Sequence, residues 1–475
     1  MITDLKPYSK YKDSGVPWLG DVPEHWEVRP LKRIARLNPS KSEVSPALRS
    51  ADAVFLPMEK VGADGRIDTS IVKCVSDLWN GFTYFRQNDV IVAKISASFE
   101  NGKGACVTNL PTEIGFGSTE FHVLRPSSAI LPEFLYLATI LREFRQLGVG
   151  AMTGAAQQRV PSTFIEQFPM CRPPLSEQTA IVRFLDYVDR RIRRVIRARQ
   201  RRIKLLEEYK QALIHQAVTG KIDVRTGKPY PKYKHSGVEW LGEVPEHWEV
   251  RRLKSSVAHI NEQTNAKNHL YIALEHVESW TGRLLAPSGD VQFDSQVKRF
   301  RAGDVLFGKL RPYLAKVVRP EQEGVCVGEF FVLRPKHAVA PRYLEVVLRS
   351  APAIDFVNSS TYGAKMPRAD WTFVGGMLFP HPPIHEQTAI VRFLDEQAAS
   401  IDRAAEAARR EIELLKEYRT RLIADVVTGK LDVREAAAKL PDEPAEEVTE
   451  DDLANEGGDA PADAALGAVT EEAEP

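Results

Sequence analysis

YSKYKDSGVPWLGDVPEHWEVRPLK, residues 8–32, returns at residues 230–254 as YPKYKHSGVEWLGEVPEHWEVRRLK, with 20 of 25 positions identical. Self-similarity on this scale decides the architecture before any local reading, because it makes the chain two copies of one unit. Two further matches bound that unit. PPLSEQTAIVRFLD at residues 173–186 pairs with PPIHEQTAIVRFLD at residues 382–395, identical at 12 of 14 positions, and residues 205–225 pair with residues 414–434, ending in VTGKIDVR and VTGKLDVR. The offset falls from 222 in the first match to 209 in the other two, so the interior of the second copy is 13 residues shorter. Each copy has a fixed leading segment, a divergent middle and a fixed trailing segment. Islands of likeness survive in the middles: FRQNDVIVAKI (85–95) against FRAGDVLFGKL (300–310), EFHVLRP (120–126) against EFFVLRP (329–335), and Gly154-Ala155 opposite Gly363-Ala364. That pattern suits two modules with one scaffold and different readout surfaces.

Periodicity gives the fold class. The middles carry short β-branched and aromatic runs bounded by Gly, Asp, Asn and Pro, so they read as mainly β with a few helices. The trailing segments differ. From Pro174 to about Val218, and from Pro383 to about Val427, neither Gly nor Pro interrupts, and Ser176-Glu177-Gln178 makes a plausible helix start. Such a run makes a helix of ~60 Å, too long for a compact domain to hide. Ile401, Ala405, Ala408, Ile412, Leu415, Arg419 and Leu422 recur at alternating four and three spacing, as do Ile192, Ile196, Arg199, Ile203, Leu206, Lys210 and Leu213. Both are coiled-coil seams. The expectation is an α+β protein whose two mainly β modules are separated by two long helices paired as an antiparallel coiled coil. The boundaries fall at 1–172 and 223–381 for the modules, 173–222 and 382–434 for the helical spacers, and 435–475 for an acidic tail.

At 475 residues and 43% hydrophobic composition, the chain has ample material for packed cores. The formal net charge of 0 conceals an asymmetry: residues 435–475 hold 14 acidic residues against Lys439, a net of −13, so residues 1–434 carry the balancing +13. The body is basic, as a nucleic-acid partner requires. The tail's Ala, Glu, Asp and Pro cannot offset their ordering entropy, and disorder is expected there. The start of the chain has no apolar run and no stretch of eighteen apolar residues exists, so a cytoplasmic protein with neither signal peptide nor membrane span is expected. Cys74, Cys106, Cys171 and Cys326 are widely spaced and read as buried thiols rather than metal ligands or disulfides.

Catalytic motifs are missing. Pro173-Pro174-Leu175 and Pro382-Pro383-Ile384 lack the neighbours of an adenine methyltransferase motif. Gly148 to Gly154 has no βαβ context, and His385-Glu386-Gln387-Thr388-Ala389 lacks the second histidine of a zinc protease. There is no phosphate-binding loop and no nuclease core around Asp89 or Asp304. A stand-alone nuclease or methyltransferase, and a coiled-coil scaffold without DNA specificity, stay open as alternatives.

The leading SG-x-x-WLG-x-VPEHWE-V, the PP-x-x-EQ-x-x-I-x-x-FLD helix start and the LL-x-EY near each helix end together resemble the specificity subunits of type I restriction-modification systems, across nearly all of residues 1–434. The resemblance implies a protein that performs no chemistry itself. Each of its two target-recognition domains would read one half of a bipartite, asymmetric site in double-stranded DNA. The helices would set the spacing and dock methyltransferase subunits, two being expected, with motor-nuclease subunits joining for cleavage. It implies no cofactor on this chain, with S-adenosylmethionine, ATP and Mg held by the partners.

Binding DNA needs cations beside phosphates, and reading it needs forked donors or amides at base edges. Lys94 and Lys309 occupy matching positions, and the second copy adds Arg311 and Tyr313 in a following turn. The loops from Gly154 to Arg159 and from Gly363 to Arg368 are the preferred base readers, through Gln157, Gln158 and Arg159 in one and Lys365 and Arg368 in the other. On the first long helix eight arginines fall between Arg190 and Arg202 with no acid among them, and Arg193, Arg194 and Arg197 are candidates for contact with a partner subunit or the DNA backbone. Trp18, Trp26, Trp240 and Trp248 belong to the fixed segments, which favours core packing over stacking on bases.

Overall fold

The computed structural model describes residues 5–154, 157–264, 270–285, 297–361 and 366–441. The chain divides into two compact units, Met1–Ala198 with Glu411–Pro475, and Arg199–Arg410. The sequence boundaries part modules from helices, whereas these units cut through both helices. Each long helix is continuous, over Leu175–Val218 and Ile384–Val427, as the uninterrupted runs predict.

In the first unit an antiparallel sheet runs in the order Ala35–Leu37, Phe121–Pro126, Val90–Ala93, Gly104–Cys106. The second unit repeats it as Val257–Ile260, Phe330–Pro335, Val305–Gly308, Val317–Val318. Beside it each unit has a four-stranded mixed sheet with one parallel pair, Asp52–Leu56 on Ile114–Gly117 in the first and Leu270–Ile272 on Gly324–Cys326 in the second. The surviving islands mark what holds the antiparallel sheets. Val90–Ala93 and Val305–Gly308 are buried throughout, so both faces must be apolar. The aspartate before each strand closes a turn through the backbone N–H of Arg86 or Arg301 and takes a two-point hydrogen bond from the arginine of the LRP triplet. Arg125 donates to Asp89 at 2.7 Å twice, and Arg334 to Asp304 at 2.9 and 2.7 Å. Those aspartates are structural.

Both units share a core between one half of each helix and a module. In the first, Ile181, Phe184, Leu185, Val188 and Ile192 pack with Leu422, Ile423, Val426 and Val427. In the second, Leu213, Ala217 and Val218 join Ile390, Leu394 and Ile401. The start of one helix thus meets the end of the other in each unit, the antiparallel pairing expected from the seams. The polar seam positions are paired: Arg419 with Asp189, and Lys210 with Asp402 at 2.7 Å.

The fixed segments meet at a buried carboxylate. Glu177, at the start of the first long helix, accepts hydrogen bonds from Trp26 Nε1 (2.9 Å) and Tyr8 Oη (3.2 Å) and pairs with His25 Nε2 (2.6 Å) and Arg434 (3.4 Å). Glu386 repeats this with Trp248 (2.8 Å), Tyr230 (3.0 Å), His247 (2.9 Å) and Arg225 (3.3 Å). Burial alone would raise Glu386, but the donors from Trp248, His247 and Tyr230 outweigh it and hold the carboxyl below its ordinary range. The next residue, Gln178 or Gln387, is wholly buried and bonds three backbone groups, two in the loop before the helix Pro132–Thr139 or Pro341–Arg349 and one at Pro173 or Pro382, just ahead of the long helix. Trp26 and Trp248 are fully buried, which fits core packing.

One expectation needs correction. Cys171 and Cys326 are buried, but Cys74 and Cys106 are only half-buried, because each lies in a strand at the edge of its sheet.

Candidate nucleic-acid interface

In the first module three segments converge at the end of the strand Val90–Ala93. Lys94 donates its backbone N–H to Glu120 O at 2.8 Å and accepts at its own carbonyl from Val160 N at 2.8 Å. Ile95 and Thr153 each bridge to Arg159, so the neck of the loop beginning at Gly154 is stitched to the strand end. Gly154 has φ +119°, and a Cβ there would meet Gln157 O at 2.6 Å, so the turn requires glycine. Gln157 and Gln158 are exposed while Arg159 is half-buried. The Arg159 guanidinium is not idle: Nε and Nη2 donate to Glu120 at 2.8 and 3.0 Å, and Nη2 also reaches Gln157 Oε1 at 3.2 Å. That contact holds the Glu120 carboxyl below its ordinary range. His122, beneath the loop, hydrogen-bonds Val160 O at 2.9 Å, and its burial lowers its pKa.

The second module assembles the same place from corresponding residues. Lys309 donates its backbone N–H to Glu329 O at 2.9 Å and accepts from Ala369 N at 2.8 Å, and Leu310 bridges to Arg368. Arg368 Nη2 donates to Glu329 at 3.2 Å. After Lys309, however, the chain does not form the short helix Ser96–Glu100 of the first module. Arg311 takes a left-handed conformation (φ 49°, ψ 63°) ahead of the single turn Pro312–Leu314, with its N–H tied to Pro367 O at 2.7 Å. This costs about 1 kcal/mol or more. Tyr313 in this turn and Met366, just before the Pro367 that holds it, are exposed at 44% and 51% of their full surface. Lys365, with Gly363 and Ala364, lies outside the described residues.

The structure therefore brings together Lys94, Gln157, Gln158 and Arg159 in one module, and Lys309, Arg311, Tyr313 and Arg368 in the other. Glu120 and Glu329, which hold Arg159 and Arg368, are not among the sequence candidates, although both begin the surviving EFHVLRP and EFFVLRP islands. Arg193 lies apart on the first long helix, where it donates to Asp189 at 2.7 Å and Asp64 at 3.1 Å. Arg194 is exposed and Arg197 half-buried. Among the described residues, no group of acids, histidines and cysteines could hold a metal ion, and no helix is long and apolar enough to cross a membrane.

Residues 23–205 match the family described as Type I restriction modification DNA specificity domain. Over 183 residues the chain is 37% identical to the Type I restriction enzyme EcoAI specificity subunit and 35% identical to the EcoEI specificity subunit, both of Escherichia coli; each alignment covers 38% of this chain and 30% of the relative. The match thus spans under a third of the length of those relatives. A putative type I restriction enzyme MjaX specificity subunit from Methanocaldococcus jannaschii is 23% identical over 433 residues, 88% of this chain and 96% of that one. Among solved structures, a chain described under complex assembly and conformational transition of the type I R-M system shares the fold with TM-score 0.68 at 19% identity, covering 86% of this chain and 99% of its own length. The HsdS subunit from Thermoanaerobacter tengcongensis does so at TM-score 0.50 and 19% identity, covering 86% and 98%. Residues 23–205 therefore resemble a type I restriction-modification DNA specificity domain, and over most of its length the chain shares its fold with these two solved structures.

Proposed function

We propose that this chain is the DNA-reading, non-catalytic subunit of a type I restriction-modification complex, each module reading one half of a bipartite, asymmetric site. The observation that carries this reading is the recurrence of one surface in two forms. The corresponding lysines, glutamates and arginines are arranged alike, while the side chains exposed beside them are Gln157 and Gln158 in one module and Tyr313 and Met366 in the other. Amides offer paired donor and acceptor to a base edge, and an aromatic or thioether offers apolar contact, so two such surfaces select different sequences. The lysines supply phosphate attraction. Chemistry, with S-adenosylmethionine, ATP and Mg, falls to methyltransferase and motor-nuclease partners.

The test is to replace residues 33–172 with another middle and sequence the methylated sites in cells carrying the complete system. One half-site changes and the other persists; a simultaneous change of both would refute two-module reading.

The helices offer a docking surface for the methyltransferase. Leu205 and Tyr209, and again Leu414 and Tyr418, are exposed at 58%, 54%, 66% and 44%. A four-residue spacing puts each pair on one helix face, and apolar side chains this exposed in both copies suit a protein partner. Two copies of the pair predict two methyltransferase subunits. Leu205→Glu with Tyr209→Glu removes one of them from the co-purified complex, as read by its mass in light scattering. Arg193, Arg194 and Arg197 on the first long helix are candidates for contact with a partner subunit or the DNA backbone. Reversing all three to Glu weakens complex assembly, or weakens DNA binding and lowers its salt dependence.

A further inference from the structure

Resting on the reading that these modules bind DNA, we infer that Arg159 and Arg368 do not read bases. Each is a positioning residue that closes a clasp with Glu120 or Glu329 and holds the reading loop to the sheet, leaving recognition to Gln157 and Gln158 in the first module and to Tyr313 and Met366 in the second.

Donor accounting is the first argument. An arginine that reads guanine presents two parallel N–H groups along one edge of its fork. In Arg159 the Nε–Nη2 edge is spent on Glu120, at 2.8 and 3.0 Å. On the other edge, Nη2 reaches Gln157 Oε1 at 3.2 Å and Nη1 reaches Gln157 O at 3.4 Å. Both edges face protein. To contact a base, the guanidinium would have to leave a two-point carboxylate partner, the strongest kind of arginine hydrogen bond.

Placement is the second. Arg159 is the neck of its loop, with its N–H and C=O both paired to Thr153 at 2.9 and 3.0 Å, and the following residue tied to Lys94. Arg368 stands at the same neck, between Pro367, whose carbonyl accepts from Arg311, and Ala369, whose N–H donates to Lys309. A base-reading side chain gains from standing out on the loop; a clasp belongs at its base.

Recurrence is the third argument. The glutamate and the arginine are the same in both copies at a constant offset of 209, in middles that otherwise diverge. Two surfaces that read different half-sites have no reason to share a reader, but every reason to share a fastener. The clasps are unequal. Glu329 receives one bond, at 3.2 Å, and its Oε2 accepts none among the described residues. Gln157 gains most, because its amide oxygen is oriented by the clasp itself.

The experiment uses the full chain purified with its methyltransferase partner. Arg159→Ala and Glu120→Gln each lower affinity for the target duplex by up to about fivefold, the scale of a partly exposed two-point ion pair. The bases methylated in cells do not change. The charge-swapped double variant, Arg159→Glu with Glu120→Arg, recovers most of that affinity, which no base-reading arginine could. Gln157→Ala or Gln158→Ala relaxes the preference at one or two positions of a single half-site. Hydrogen exchange without DNA supplies a readout independent of binding: the amides of Thr153 and Arg159 exchange faster in Arg159→Ala and return toward wild type in the swap. Loss of one base preference in Arg159→Ala, without rescue by the swap, overturns the proposal, as does unchanged exchange at both amides. A wild-type complex with no sequence preference would instead refute DNA reading, and the exchange measurement would still decide the clasp.

Discussion

The two modules are built from one plan and differ most where they would meet DNA. In the first, Lys94 runs into the helix Ser96–Glu100, whose Phe99 is wholly buried, and the exposed side chains are amides. In the second, Arg311 precedes proline, which disfavours the right-handed helical region for it, and the chain turns through left-handed Arg311 and Ala315 to expose Tyr313. Beneath the loop the first module has His122, bonded to a backbone carbonyl, where the second has Phe331 packed against Phe307, His259 and Trp371. The aspartate–arginine pair within the sheet, the glutamate–arginine clasp and the buried helix-start glutamate are common to both. The contrast teaches that this fold keeps its long-range polar fasteners fixed and lets short local segments vary, so an exposed surface changes without rebuilding the core.

The strongest way to break the likeness is to remove the shared carboxylate. Glu177→Leu leaves the Trp26 N–H and Tyr8 hydroxyl buried without an acceptor, at about 3 kcal/mol. Glu386→Leu does the same to Trp248 and Tyr230. Urea denaturation followed by tryptophan fluorescence should show equal losses; a much smaller cost for one would end their equivalence. Next comes Gly154→Ala in the first module, where the positive φ and the blocked Cβ position imply a cost of about 2 kcal/mol. Its expected consequence is faster proteolysis at the loop and weaker binding to one half-site only.

Lys94→Gln and Lys309→Gln sharpen the comparison from the DNA side. Each lowers the slope of log affinity against log salt by about 1 if its ammonium neutralises one phosphate, and a change in only one variant would separate the roles of the two lysines. The smallest effect is acid sensitivity. Burial pushes His122 below its ordinary value of about 6.5, so the unfolded chain binds the proton more readily. Its contribution to stability is full above about pH 6.5 and is lost as pH falls through the lower folded value. His122→Phe, which installs the residue of the second module, flattens the decline in melting temperature below pH 6.5, by about a degree or two. An unaltered pH profile would show that His122 is not the group responsible.

Much of this was legible in the chain. The duplication is a matter of identity, the helices follow from uninterrupted runs with apolar residues at three and four spacing, and the β-rich middles follow from short β-branched runs. Islands of likeness frame the candidate lysines, glutamines and Tyr313. The roles of Arg159 and Arg193 were not legible, since an arginine in a loop or on a helix face carries no sign of whether an acid elsewhere has claimed it. Glu120 is 39 residues from Arg159, and Asp64 is 129 from Arg193.

The sequence by itself determined the two-copy plan, the fold class and the position of the candidate loops, because periodicity and repetition are local properties that survive without knowledge of contacts. Only the tertiary structure decided which half of each helix completes which module, and which cations are committed to carboxylates. Glu177 meets Arg434 across 257 positions of chain, and Glu386 meets Arg225 across 161. The physical reason is that an ion pair depends on whether folding brings two groups within about 3–4 Å, and pairings at such separations leave no periodic trace in the sequence.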